Sequence, residues 1–269
     1  MLTATQAREA VHVLLLRRLQ RVQEARAVIL KGGVNLRLFH GSPRYSEDID
    51  LDGVPGARLA IRSTIRGIFD DRDFARSLAR LGLRGLDPGE GPNKDTETTF
   101  RYKFHVLGSG NQSYGTKVEV SFRERSETDP FEIATPPSDR VRRYLPEGDE
   151  IRIQRYGRPA AVRQKIEALA GRTRIEARDI FDIHVLLRDE DGGRPSLIEF
   201  LADSIDSSTL KLARERALEL EYPEYESLVV RFLEDDVRQE YRSQERWDHL
   251  RLSAASLVDA VLQRQEAVS

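Results

Sequence analysis

The residues of this 269-residue chain best suited to chemistry lie in one short run, Arg44-x-Ser46-x-Asp48-Ile49-Asp50-Leu51. Residues two apart on a β-strand point to the same face, so Asp48 and Asp50 project side by side while Ile49 and Leu51 face a core. Carboxylates held that close repel by roughly 4 kcal/mol at 4 Å with an effective dielectric near 20. A divalent cation is the commonest offset. All-oxygen ligation with no nearby histidine suits magnesium or manganese. Taken alone, the pair also fits a solvated strand edge with two exposed acids.

Two further segments bear on that choice. Upstream, Ala27-Val28-Ile29-Leu30 reads as a buried strand ending at Lys31-Gly32-Gly33, before a short helix. Bare backbone at such a turn can approach phosphate, with amides and a helix N-terminus aimed at it. A Gly-Gly pair can equally be only a tight turn. Downstream, Lys117-Val118-Glu119-Val120-Ser121 puts Glu119 on the polar face of another strand. A third carboxylate on a neighbouring strand is what two-metal, in-line phosphoryl transfer requires. Read singly, Glu119 is a surface strand residue.

In the second half, Lys165 flanks the stripe of Val162, Ile166 and Leu169, where a lysine often snorkels to solvent. Asp179 and Asp182, three apart, share a helix face. They could orient Lys165 or an arginine, touch a ligand, or form structural salt bridges to Arg174 or Arg178. The histidines, His12, His40, His105, His184 and His249, show no ligand spacing and read as ordinary surface or core residues. Trp247, Tyr222, Tyr225 and Tyr241 fall at helical spacing, so core packing is expected. Arginines around Arg17-Arg18-Arg21, Arg76-Arg80-Arg84 and Arg140-Arg142-Arg143 could line an RNA groove or form solvated helix faces.

The elements that must position these groups follow from periodicity. An amphipathic helix is expected over residues 5 to about 24, then the short strand, then a helix over 34–40 broken at Gly41-Ser42-Pro43. Alternation over 46–52 marks a strand. Residues 57 to about 83 have a helical pattern, and the turn-rich segment 87–96 reads as a loop. Runs at 99–107 and 116–122, joined by a Gly/Ser/Asn loop, read as a β-hairpin. A last strand-like run covers 150–156. From Ala160 onward only helical periodicity appears, interrupted near Gly192-Gly193, at Ser207-Ser208 and at Pro223. The division is an α/β half over residues 1–158 and an all-helical half over 159–269.

Composition sets outer bounds. Hydrophobic residues make up 39% and charged residues 33%, the profile of a globular chain with an ionised surface. With no cysteine, disulfides, iron–sulfur clusters, thiolate zinc sites and cysteine nucleophiles are excluded. The run Val13-Leu14-Leu15-Leu16 falls far short of the roughly 20 apolar residues of a membrane span, so a cytoplasmic protein without membrane partners is expected. Six of the 43 basic residues are lysines. A net charge of −2 excludes a uniformly basic nucleic-acid coat but leaves room for a local patch.

Together the glycine turn, the Asp-x-Asp strand and the later acid resemble the polymerase-β-like nucleotidyltransferase superfamily. Leu30-Lys31-Gly32-Gly33-Val34-Asn35-Leu36-Arg37 and Arg44-Tyr45-Ser46-Glu47-Asp48-Ile49-Asp50-Leu51 narrow the match to the AbiEii/AbiGii-type (MenT-like) nucleotidyltransferase toxin family. Lys165-Ile166-Glu167-Ala168-Leu169 and Arg178-Asp179-Ile180-Phe181-Asp182-Ile183 are similar to its other pattern. Four blocks in order cover residues 28–187. The superfamily's Gly-Ser turn is Gly32-Gly33 here, the form usual for this family.

The resemblance implies an α+β fold, a mixed sheet with flanking helices followed by a helical domain that contributes nucleotide- and acceptor-binding residues. It implies a toxin of a toxin–antitoxin pair that moves NMP from an NTP to an RNA acceptor, the tRNA 3′ end, and so blocks translation. Asp48, Asp50 and Glu119 would hold Mg²⁺ or Mn²⁺. Lys31, Gly32, Gly33 and Ser46 would cradle the triphosphate, and Lys165 would balance its charge. Arg178, Asp179 and Asp182 would assist at the nucleotide or acceptor, with Asp182 and Lys165 joining the two aspartates as catalytic groups. Partners would be NTP, RNA and a cognate antitoxin. Alternatives are transfer to an antibiotic-like small molecule or a protein side chain, and a catalytically silent NTP- or partner-binding module.

Overall fold

The computed structural model describes residues 1–22, 26–89, 91–123, 129–188 and 193–268. The expected helix end at Glu24 and the break at Gly192 lie outside them. The chain groups into two compact units, Met1–Phe39 with Tyr45–Tyr156, and His40–Arg44 with Gly157–Ser269. The helical half thus begins at Gly157 and also takes in five residues from the first third of the chain. Among the described residues no helix is long and apolar enough to cross a membrane.

The first unit holds a mixed sheet of eight strands: β1 (Val28–Lys31), β2 (Ile49–Gly53), β3 (Gly85–Asp87), β4 (Lys94–Thr96), β5 (Thr99–Leu107), β6 (Ser113–Ser121), β7 (Phe131–Ala134) and β8 (Ile153–Tyr156). Their order is β3-β5-β6-β2-β1-β8-β7, with β4 pairing β5. Strand β2 runs parallel to β6 and antiparallel to β1, and β5 and β6 form the expected hairpin. Strands β3 and β4 edge the segment expected as a loop, and β7 was not expected. These strands have three or four residues, too few to show a period.

Helix α1 (Ala4–Leu19) opens with a capping box between Thr3 and Gln6. It is not the amphipathic helix expected, because every residue from Glu9 to Leu16 is buried. It packs against β5, β6, α3 (Arg58–Phe69) and α4 (Arg72–Arg80), and is therefore covered on most sides. Its buried Glu9 is satisfied by Arg37 at 2.6 Å and by the Tyr144 hydroxyl at 2.6 Å. The helical pattern over 57–83 resolves into α3 and α4, because α3 ends with Asp70 as its C-cap and Asp71 caps α4 by accepting the Phe74 N–H at 2.7 Å. Helix α2 (Gly32–Phe39) begins directly at the glycines, and a four-residue helix, α5 (Ser138–Val141), precedes β8.

The second unit is helical: α6 (Arg158–Gly171), α7 (Ala177–Leu187), α8 (Arg194–Ser204), α9 (Ser207–Glu219), α10 (Tyr222–Leu228), α11 (Arg238–Tyr241) and α12 (Gln244–Val268). The long α12 packs on α7, α8 and α9. Trp247 stacks on Tyr225 with ring centroids 4.6 Å apart and gives its N–H to the Leu220 carbonyl, so these two are core, as is Tyr241, whereas Tyr222 is only half-buried. The segment His40–Arg44 is tied in by a bridge between Arg44 and Leu233, and by the Glu234 N–H donating to the Pro43 carbonyl at 3.0 Å.

Candidate active site

Strand register brings the predicted acids of the first unit together. Asp50 on β2 lies opposite Glu119 on β6 and opposite Lys31 on β1, and Glu119 lies opposite Arg101 on β5. Paired residues share a sheet face, so Lys31, Asp50, Glu119 and Arg101 form one row across four strands. Two flanking cations bracket two central acids. Asp48, at the entrance to β2, meets Lys117 Nζ at 3.0 Å, and Arg101 is paired with the Glu119 carboxylate. Asp52, next along the same face as Asp50, pairs with Lys31 and accepts the Tyr156 hydroxyl at 2.8 Å.

The glycine turn abuts this row. Gly32 has φ +68, and a Cβ built there would sit 2.7 Å from Asp50 Oδ2. Only glycine lets the backbone come that close in that conformation. Ser46 gives its hydroxyl proton to the Asp48 carbonyl at 2.8 Å, which fixes the bend that aims Asp48. On the far side, Thr116 Oγ1 donates to the Glu47 carbonyl at 2.6 Å and lies 3.0 Å from His12 Nε2. His12 is thus a core residue, as expected; burial and the nearby Arg8 lower its pKa to about 3, so it is neutral.

The three acids differ electrically. Burial, then the charge of Asp48, raises the pKa of Asp50 against the pull of Lys117 and Lys31; Glu119 adds to the rise. Burial alone would raise Glu119 too, but the hydrogen bond and charge of Arg101 carry it below its ordinary value. These are hard oxygen donors at the centre of a glycine-lined face, a chemistry that fits a divalent cation. Among the described residues, no three acids stand gathered around a single point; Asp48 is paired with Lys117 and Glu119 with Arg101.

The second unit holds its own charge cluster. Lys165 of α6 is half-buried and turned inward rather than snorkelling, 3.0 Å from Asp179 Oδ1 and 2.6 Å from Asp182 Oδ2. Asp182 also takes a forked pair from Arg44, with Nη2 3.0 Å and 3.1 Å from its two oxygens. Asp179 Oδ2 lies 2.9 Å from Arg172 Nε. The arginines on these acids are therefore Arg44 and Arg172, not Arg174 or Arg178; Arg178 bonds Glu176 at 2.6 Å instead. Burial opposes charge on Lys165, but Asp182 and Asp179 more than compensate and raise its pKa. Asp182, despite burial, is held below the ordinary carboxylate range by Arg44 and Lys165.

Sequence reasoning missed Arg101, Lys117, Asp52 and Tyr156 around the acids, and Arg44 and Arg172 in the helical cluster. Lys117-x-Glu119 places a cation on the face of the third acid, a signal available from alternation alone. The pairing of Arg44 with a residue 138 positions later had none.

Comparison with known proteins gives a consistent result. The family model for the nucleotidyl transferase AbiEii toxin of type IV toxin–antitoxin systems matches residues 14–262. A candidate nucleotidyltransferase from H. pylori superposes with a TM-score of 0.58 at 19% identity, covering 100% of this chain and 99% of that one. MenT4, a nucleotidyltransferase toxin from Mycobacterium tuberculosis H37Rv, gives 0.57 at 17% identity, covering 97% and 93%. At such identities the two structures speak for the fold alone. A comparison with curated proteins gives no match. The α+β fold is that of nucleotidyltransferases, and with the model spanning nearly all of its length the chain belongs to the AbiEii nucleotidyltransferase toxin family.

Proposed function

We propose that this toxin transfers the NMP of an NTP to the 3′ hydroxyl of an RNA, a tRNA, in the cytoplasm, with Asp48 and Asp50 as catalytic carboxylates. The observation that supports this most is the row Lys31–Asp50–Glu119–Arg101, with Asp48 at its end and Gly32 against it. Asp48, Asp50 and Glu119 would hold Mg²⁺ or Mn²⁺, which when bound lowers the pKa of the acceptor hydroxyl and offsets charge on the reacting phosphorus. Lys117 and Arg101, which now neutralise Asp48 and Glu119, would then be free to face the triphosphate. The amides of Gly32 and Gly33, with Lys31, would cradle it, and Ser46 would keep Asp48 aimed.

Lys165 has three N–H donors, and Asp179 and Asp182 engage two of them. With three cations on two acids, that cluster keeps a net positive charge. This supports the assignment of Lys165 to phosphate neutralisation, with Arg178, Asp179 and Asp182 as its neighbours. A cognate antitoxin goes with the family.

The test is to incubate purified protein with total RNA, each labelled NTP and Mg²⁺. Label is expected in an RNA band with the wild type. Asp48→Ala should cut labelling at least about a hundredfold, more than the loss of a supporting group around a metal costs. A labelled small molecule or protein in place of RNA, or full labelling by Asp48→Ala, would overturn the reading.

A further inference from the structure

Two arginine runs that are far apart in sequence share one wall in the first unit. Arg17 and Arg18 end α1, Arg21 follows just beyond, and α4 presents Arg76 and Arg80 one turn apart, away from its buried Phe74 and Leu78. These five arginines and Asp73 line an open concavity of about 300 Å³. Arg17 and Arg21 both reach Asp149, Arg18 reaches Asp71 and more distantly Asp73, and Arg76 reaches Asp73. Arg80 donates to the Tyr144 carbonyl at 3.2 Å. Five guanidinium groups are thus met by three carboxylates, and the Arg76 side chain is 79% exposed.

We infer that this concavity grips the phosphodiester backbone of the acceptor RNA, an inference that rests on the RNA reading above. Guanidinium groups suit it because their planar forks bind phosphate oxygens in pairs. Arg76 and Arg80, with Cβ atoms about 6 Å apart as i,i+4 neighbours, can send their guanidinium groups to neighbouring phosphates of one strand. Position argues for a long polyanion over a free nucleotide. Helix α1 lies behind the acid row: His12 bonds Thr116, which shares the apolar face of β6 with Val118 and Val120, opposite Glu119, and which also bonds the residue before Asp48. At 1.5 Å per residue, Arg17 and Arg18 lie roughly 8–9 Å farther along that helix, with Arg21 just beyond its end. The arginines are thus set back from Asp50, beyond a free nucleotide bound there and within reach only of the flanking backbone of a long RNA whose 3′ end is at Asp50.

The experiment measures tRNA binding against salt concentration for the wild type, R76Q/R80Q and R76K/R80K, with thermal unfolding as the check on folding and calorimetry for Mg-NTP. R76Q/R80Q should weaken tRNA binding about tenfold and reduce the slope of log K against log salt by about 2, leaving Mg-NTP binding unchanged. R76K/R80K should recover most of both. Wild-type affinity and slope in the glutamine variant would overturn the inference while RNA labelling kept the acceptor reading intact. So would competition by poly-glutamate as strong as by RNA of equal charge, which would mark an acidic protein surface. Displacement of tRNA by millimolar inorganic phosphate would do the same, marking a small-anion site. A wild type that neither binds nor labels RNA would instead sink the acceptor reading, and this inference with it.

Discussion

Asp50 and Glu119 stand opposite each other on parallel strands, yet Arg101 bonds Glu119 while among the described residues no side chain bonds Asp50. The pKa of Asp50 is raised by burial and by Asp48, so its anion is a burden on the folded state. Asp50→Asn should therefore abolish NMP transfer while leaving the melting temperature, measured with EDTA present, equal to or above that of the wild type. A marked fall in melting temperature would show that Lys31 and Lys117 already neutralise it.

The glycines separate strain from collision. Gly32 and Gly41 share φ +68, but an added Cβ at Gly41 meets nothing within 4 Å. Alanine at either site should cost roughly 1–2 kcal/mol in urea unfolding for the left-handed backbone. Only Gly32→Ala pushes on Asp50 Oδ2, and a shift of about 1 Å there should slow transfer on the order of a hundredfold. Equal activity in the two variants would mean the carboxylate yields without consequence.

Lys165 carries a structural load whatever else it does. Lys165→Met leaves Asp179 and Asp182, both wholly buried, short of a cation, and should destabilise the protein by about 3–5 kcal/mol. A loss below about 1 kcal/mol in denaturant titration would show that Arg44 and Arg172 suffice.

His12 should give the protein an acid limb. Its folded pKa of about 3 lies below the unfolded value of 6.5, so between those pH values the unfolded chain binds the extra proton. Stability contributed by this group is complete above pH 6.5 and drains away as pH falls toward 3, by a few kcal/mol in all. In His12→Asn the curve of unfolding free energy against pH should flatten over that window. An unchanged curve would place the acid sensitivity elsewhere.

What could be read without coordinates follows from which signals are local. The helix after Lys31, the hairpin of β5 and β6 and the helical second half all have enough residues to show a period. Asp48, Asp50 and Glu119 could be placed on polar faces by alternation, but that Glu119 pairs with Asp50 is a fact of register. The same limit hid Arg101 and the partners of Asp179 and Asp182. The misreading of α1 has another cause: Glu9 and His12 look like a polar face until Arg37, Tyr144 and Thr116 arrive from elsewhere to satisfy them.

The chain leaves the first unit at Phe39, returns at Tyr45 and leaves again after Tyr156. A cut at the obvious seam, between Tyr156 and Gly157, would carry Arg44 off with the wrong fragment. The helical piece would then keep Asp182 without its forked arginine, and the sheet piece would keep a stranded loop. Such halves are poor candidates for separate expression or for shuffling between relatives, so the two units are bound to travel as one inheritance.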